Sequence, residues 1–124
     1  LTGRENLELA RRLHGVAGSA RTDALVDRFD LAPFYDRPVR TYSRGQLQRT
    51  SLARALVHSP RLVLYDEPST GLDERSLDRL VDLVAAERER DAIQLVITHD
   101  PQFASRVATR RVHLVRGRIK EGVS

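Results

Sequence analysis

Two short apolar runs, "RLVLYD" at 61–66 and "AIQLVITH" at 92–99, flank a segment with a helical repeat. Within it Leu77, Leu80, Val81 and Val84 fall at i, i+3, i+4 and i+7, which predicts a helix over about 74–90 with one apolar stripe. Neither run alternates with polar residues, the pattern of strands buried on both faces. Strand, helix, strand in this order implies a crossover and hence parallel neighbours in a layered α/β sheet. "PQFASRVA" at 101–108 predicts a short helix, opened by Pro101 where a missing N–H costs little. "RVHLVRGRI" at 111–119 predicts a third strand, with a turn at Gly117 near its end.

Ahead of this unit the chain reads as helical. Thr2 and Glu5 have the spacing of a capping box, and the helix they open runs from 3 to about 14, where Gly15 closes it. A second helix over about 21–30 sets Leu25 and Phe29 on one face, and Pro33 and Pro38 end that unit. A third, over about 44–58, is stopped by Pro60; Leu47, Ala55 and Leu56 fall on its expected buried side, with Arg44, Gln48 and Arg49 among its polar positions. The expected division is a helical subdomain at 1–59 and an α/β core portion at 60–124. Tyr65 is expected in the core with its hydroxyl bonded, and "ERERD" at 87–91 as a solvated helix end.

Charge and composition exclude several classes. Residues 1–62 carry 11 arginines against 6 acids, a balance of +5, whereas 63–124 come to −1. Those arginines are mixed with acids and lack interleaved aromatics, so no nucleic-acid partner is expected. No apolar run approaches the roughly 20 residues of a membrane span, and any membrane role is expected to come through a partner. The absence of cysteine removes disulfides and thiolate metal sites and permits a cytosolic location. His14, His58 and His113 lack ligand spacing and are expected in surface or packing roles. A chain that starts at Leu1, with no methionine and no signal peptide, reads as a piece of a longer polypeptide.

The chemistry gathers where the strands end. Open α/β sheets bind ligands at the carboxyl ends of their strands. Asp66 and Glu67 end the first run and His99 the second. An acid there suits Mg2+, a hard cation usually held through water, and a second acid can orient or deprotonate water for attack on a phosphoryl group. His99 could then touch a terminal phosphate oxygen. Taken alone, an apolar strand followed by acids is also how many turns begin. "TYSRGQ" at 41–46 adds a helix start with a capping hydroxyl at Ser43 and a glycine at 45 that permits close backbone approach, features that suit an anion.

Together these stretches resemble the ATP-binding-cassette (ABC) ATPases. "YSRGQ" at 42–46 resembles the family's signature motif, "LVLYDEP" at 62–68 its Walker B, "STGLD" at 69–73 its D-loop, and His99 in "VITHD" its switch histidine. "LTGRENL" resembles the segment that follows the family's Q-loop. The resemblance implies a P-loop NTPase-like fold with ATP and Mg2+ as cofactors. It assigns Asp66 to Mg2+, through water, and Glu67 to the general base or water-orienting carboxylate, with His99 sensing the γ-phosphate. Asp73 would lie at a dimer interface. Ser43, Arg44, Gly45 and Gln46 would address ATP held by a partner subunit, because family members sandwich two nucleotides between head-to-tail domains.

Departures from the family pattern shape the expectation. The 124 residues contain no G-x-x-x-x-G-K-[ST] phosphate loop, Tyr42 replaces the usual leucine, and Arg44 the first of two glycines. This segment alone is therefore expected neither to bind ATP tightly nor to turn it over, and the second run to show an open apolar edge. "VRTYSRGQLQR" is most like the heme-exporter and drug-exporter branches. The implied function is the ATP-hydrolysing subunit of a transporter, peripheral on the cytoplasmic face of the membrane. Its partners would be a transmembrane permease subunit and a second ATPase subunit, in a homodimer or mixed pair. A soluble cassette ATPase of translation or DNA repair, or a truncated and catalytically idle binding module, are the alternatives.

Overall fold

The computed structural model describes residues 1–120. Three helices come first: α1 (Gly3–Leu13), α2 (Ala20–Arg28) and α3 (Arg44–Leu56). They are followed by β1 (Leu62–Asp66), α4 (Glu74–Glu89), β2 (Ile93–Ile97), α5 (Pro101–Val107), β3 (His113–Val115) and β4 (Arg118–Lys120). The capping box of α1 forms as expected, with Thr2 Oγ1 accepting from the Glu5 N–H and Glu5 Oε1 from the Thr2 N–H. At the other end Gly15 takes φ +66°, and Val16 N–H donates to the Arg11 carbonyl, the bond that a left-handed glycine permits.

β1 and β2 pair in parallel with Leu62 opposite Ile93 and Asp66 opposite Ile97, so both strands end at the same edge. α4 and α5 cover one face. Val63 and Tyr65 point into it, and the Tyr65 hydroxyl donates to Gln94 Oε1 at 3.0 Å. One core runs through the helical and the sheet parts, with Leu7, Phe29, Leu56, Leu80, Leu83 and Phe103 all buried. Among the described residues no helix is long and apolar enough to cross a membrane.

Four expectations are corrected. The strands are covered on one face only: Leu62, Leu64, Ile93, Leu95 and Ile97 stand 47–69% exposed on the other, and burial on both faces requires a second layer that the described residues do not form. The segment at 111–119 is no third parallel strand. Arg116 and Gly117 both take positive φ, the geometry of a tight two-residue hairpin turn, so β3 and β4 pair antiparallel in a sheet of their own.

On α3 the buried face is Thr50, Ala53 and Leu56, set against α1 and α2, whereas Leu47 and Ala55 look outward over β1. "ERERD" is not wholly solvated either: Glu87 is buried and paired with Arg21 and Arg90. His14 and His58, distant in sequence, stack at 3.9 Å between ring centroids, a packing role.

Five aliphatic side chains on one open face form a patch that water disfavours. The 124-residue chain alone should therefore self-associate, and Leu64→Lys with Leu95→Lys should make it monomeric without loss of helix content. Light scattering beside circular dichroism checks this; a wild-type chain that stays monomeric into the high micromolar range would contradict it.

Candidate functional site

The edge where β1 and β2 end carries two carboxylates and a histidine. Glu67 N–H donates to the Ile97 carbonyl at 2.8 Å and so extends the ladder one residue past β1. Its backbone then turns left-handed, φ +48°, although it is neither glycine nor asparagine and stands before a proline, which biases its neighbour toward extended backbone. Such a conformation costs on the order of 1–2 kcal/mol and persists only where its surroundings hold it. The turn aims the side chain across to the end of β2. Glu67 Oε2 accepts from the His99 N–H at 3.4 Å, and Oε1 lies 3.6 Å from His99 Nε2.

Asp66 is exposed beside them. Asp66 and Glu67, with Arg44, Gln48 and Pro68, line a groove of about 430 Å³ between β1 and α3. Among the described residues no three His, Cys, Asp or Glu side chains converge as a metal cage. The donors that Asp66 and Glu67 present are carboxylate oxygens, which fits Mg2+, a cation that keeps much of its water and takes one or two carboxylates beside substrate phosphates.

The start of α3 is the second group. Ser43 Oγ accepts from the Gln46 N–H at 3.2 Å, and Gln46 Oε1 accepts from the Ser43 N–H at 3.0 Å. This capping box leaves first-turn N–H groups with no intrahelical acceptor, and a Cβ built on Gly45 meets nothing within 4 Å. The surface is thus open to a ligand phosphate. Tyr42 anchors the segment before it: its hydroxyl donates to the Phe34 carbonyl at 2.8 Å and accepts from the Gly3 N–H at 3.0 Å. Gly3 lets that hydroxyl approach, since a Cβ there would stand 2.4 Å from it and would have to displace the end of the Tyr42 side chain.

The sequence-predicted residues therefore fall into two groups. Asp66, Glu67 and His99 share the strand edge, whereas Ser43, Gly45 and Gln46 do not line the groove between β1 and α3. Arg44 bridges the two, its side chain lying over Gly71 of the turn after the carboxylates. Asp73 caps α4, Oδ1 accepting from the Ser76 N–H at 2.8 Å, and that bond holds its carboxyl below the usual range. Sequence reasoning missed Gln48, whose Nε2 donates to the Pro68 carbonyl next to Glu67. Its only signal was a place one helical turn after Arg44.

Residues 1–70 match the family described as "ABC transporter". The arginine transport ATP-binding protein ArtP of Haemophilus influenzae is 38% identical over 98% of this chain and 51% of its own length. The lipoprotein-releasing system ATP-binding protein LolD of Leptospira interrogans is 36% identical over 95% and 51%. The daunorubicin resistance ATP-binding protein DrrA3 of Streptomyces coeruleorubidus is 38% identical over 96% and 39%. A solved structure of the ATP-binding subunit of an ABC transporter superposes with a TM-score of 0.89 at 28% identity, over 99% of this chain and 53% of the other. This chain thus spans about half the length of these relatives or less.

Proposed function

This chain belongs to the ABC transporter ATP-binding family, and we propose that it supplies the signature and catalytic-carboxylate portions of a subunit that hydrolyses ATP to drive membrane transport. The observation that carries the reading is the meeting of Glu67 and His99 at the carboxyl edge of a parallel strand pair.

In the proposed reaction the Glu67 carboxylate orients and deprotonates the attacking water. Its held backbone turn keeps it aimed at one place. His99, almost fully exposed, is free to donate to a terminal phosphate oxygen. Asp66 would hold Mg2+ through water, and bound Mg2+ supplies charge neutralisation on the phosphate oxygens. Ser43, Arg44, Gly45 and Gln46 would address ATP held by a second ATPase subunit, with Asp73 at the interface between the two. The helical part, 1–59, would dock a transmembrane permease and hold the 60–124 part against the cytoplasmic face of the membrane.

The transported substrate would be read by the permease. The three relatives are named for arginine transport, lipoprotein release and daunorubicin resistance, and the heme-export branch suggested by "VRTYSRGQLQR" gains no support from them.

Gly45→Asp in the native full-length protein tests the signature assignment. An acid in the first turn of α3 favours the helix and meets no neighbour, so the melting temperature should hold, while its charge repels a phosphate. ATP hydrolysis should fall by roughly a hundredfold, the scale of lost positioning in catalysis. Unchanged hydrolysis would remove the signature from the mechanism.

A further inference from the structure

The left-handed turn at Glu67 poses a mechanical question. A strained residue before a proline relaxes unless both its flanks are held. On the amino side its N–H is bonded to Ile97. The carboxyl side is Pro68, which has no N–H to give, and the Thr70 N–H reaches only the carbonyl of Glu67 itself, at 3.2 Å. The hold on the far side comes from another element: the Gln48 side chain of α3, whose amide donates to the Pro68 carbonyl. One turn earlier on the same helix, Arg44 lies over Gly71, so α3 touches the post-carboxylate turn at two points.

We propose that Gln48 is a positioning residue for Glu67, tying the signature helix to the catalytic carboxylate so that what happens at the start of α3 is felt in the aim of Glu67. This rests on the reading of Glu67 as the water-handling group. α3 is a helix of 13 residues capped by Ser43, whose first turn carries Arg44–Gln46 and whose second carries Gln48. A shift of that helix on meeting a phosphate moves the Pro68 carbonyl with it, and Glu67 is the adjacent residue. The coupling needs an N–H donor at 48 of glutamine's length. A side chain that merely fills space would not serve.

The experiment uses the native full-length protein and reads phosphate release as kcat and KM for MgATP, with melting temperature as the folding control. Gln48→Ala should lower kcat roughly ten- to hundredfold, the range a misaimed group produces, and leave KM about unchanged. Gln48→Glu keeps the shape but loses the donor at neutral pH. Its kcat should fall as far there and recover relative to wild type as the pH is lowered, because the protonated carboxyl regains an O–H to give to Pro68.

Adding Gln48→Ala to Glu67→Gln should cost nothing further, since the residue acts through Glu67. If Glu67→Gln is inactive while Gln48→Ala keeps its kcat, or if the losses add, the proposal fails by itself. If Glu67→Gln turns over normally, the reading of Glu67 and this proposal fall together. A Gln48→Glu variant whose kcat ignores pH also overturns it.

Discussion

Glu67→Gln in the native full-length protein should leave ATP bound and nearly abolish its hydrolysis. The amide matches the carboxylate in size, and its oxygen can still accept from the His99 N–H, so the turn that Glu67 makes at φ +48° keeps its local bonds. What is lost is the proton acceptor. General-base catalysis contributes on the order of a hundred- to ten-thousandfold, and kcat should fall by that scale while nucleotide affinity changes little. Phosphate release measured beside equilibrium nucleotide binding separates the two. Turnover at the wild-type rate would take Glu67 out of the proposed role, and loss of binding would make it a binding residue instead.

Glu87→Ala should produce the largest loss of stability among single polar changes. Glu87 accepts from Arg21 at 2.8 Å and from Arg90 at 2.5 Å, and its side chain is 3% exposed. Arg21 also donates to the Leu56 carbonyl at the end of α3, and Arg90 to the Ser59 and Pro60 carbonyls that lead into β1. One carboxylate therefore fastens α2, the end of α3 and the entry to the sheet onto α4. Removing it strands two partly buried guanidinium groups, at a cost of about 3 kcal/mol, or roughly 10 °C in melting temperature for a domain of this size. A shift within about 2 °C would show that the arginines find water at no cost.

The same group sets a pH dependence. Burial pushes the Glu87 carboxyl up, but the hydrogen bonds from Arg21 and Arg90 and their charges outweigh it and hold the group below its usual value. A carboxyl lowered in the folded state contributes fully above its unfolded pKa of about 4.3 and loses that contribution as the pH falls through the folded value. The stability advantage over Glu87→Gln should therefore be flat near neutrality and shrink below about pH 4 in urea melts. An advantage that persists at pH 2 would contradict the pairing.

Where a feature depends on neighbours in sequence, it was legible. Thr2 with Glu5 formed the expected capping box, and Ser43 the expected helix cap, because the bonded partners lie three residues apart and need nothing else. The crossover from β1 through α4 to β2 followed from apolar period, and with it the placing of Asp66, Glu67 and His99 at one edge. The turn at Gly117 was visible, but a hairpin of two short strands was not, since Arg116 also had to go left-handed.

Tertiary structure decided whatever depended on which surfaces meet. Periodicity placed Leu47 and Ala55 inside, yet α3 presents Thr50, Ala53 and Leu56 to α1 and α2, because an amphipathic stripe this weak has no direction until the neighbours dock. Glu87 sits in a charged run that reads as solvated; only the approach of Arg21, 66 residues away, gives its carboxylate a reason to be buried. Gln48 is the sharpest case. Its neighbours mark it as one polar residue on a helix surface, and its amide gains a partner only because packing of α3 over the sheet edge brings the Pro68 carbonyl within reach. Local bonding is written in short spacings along the chain, whereas the pairing of distant polar groups exists only after the core has brought their elements together.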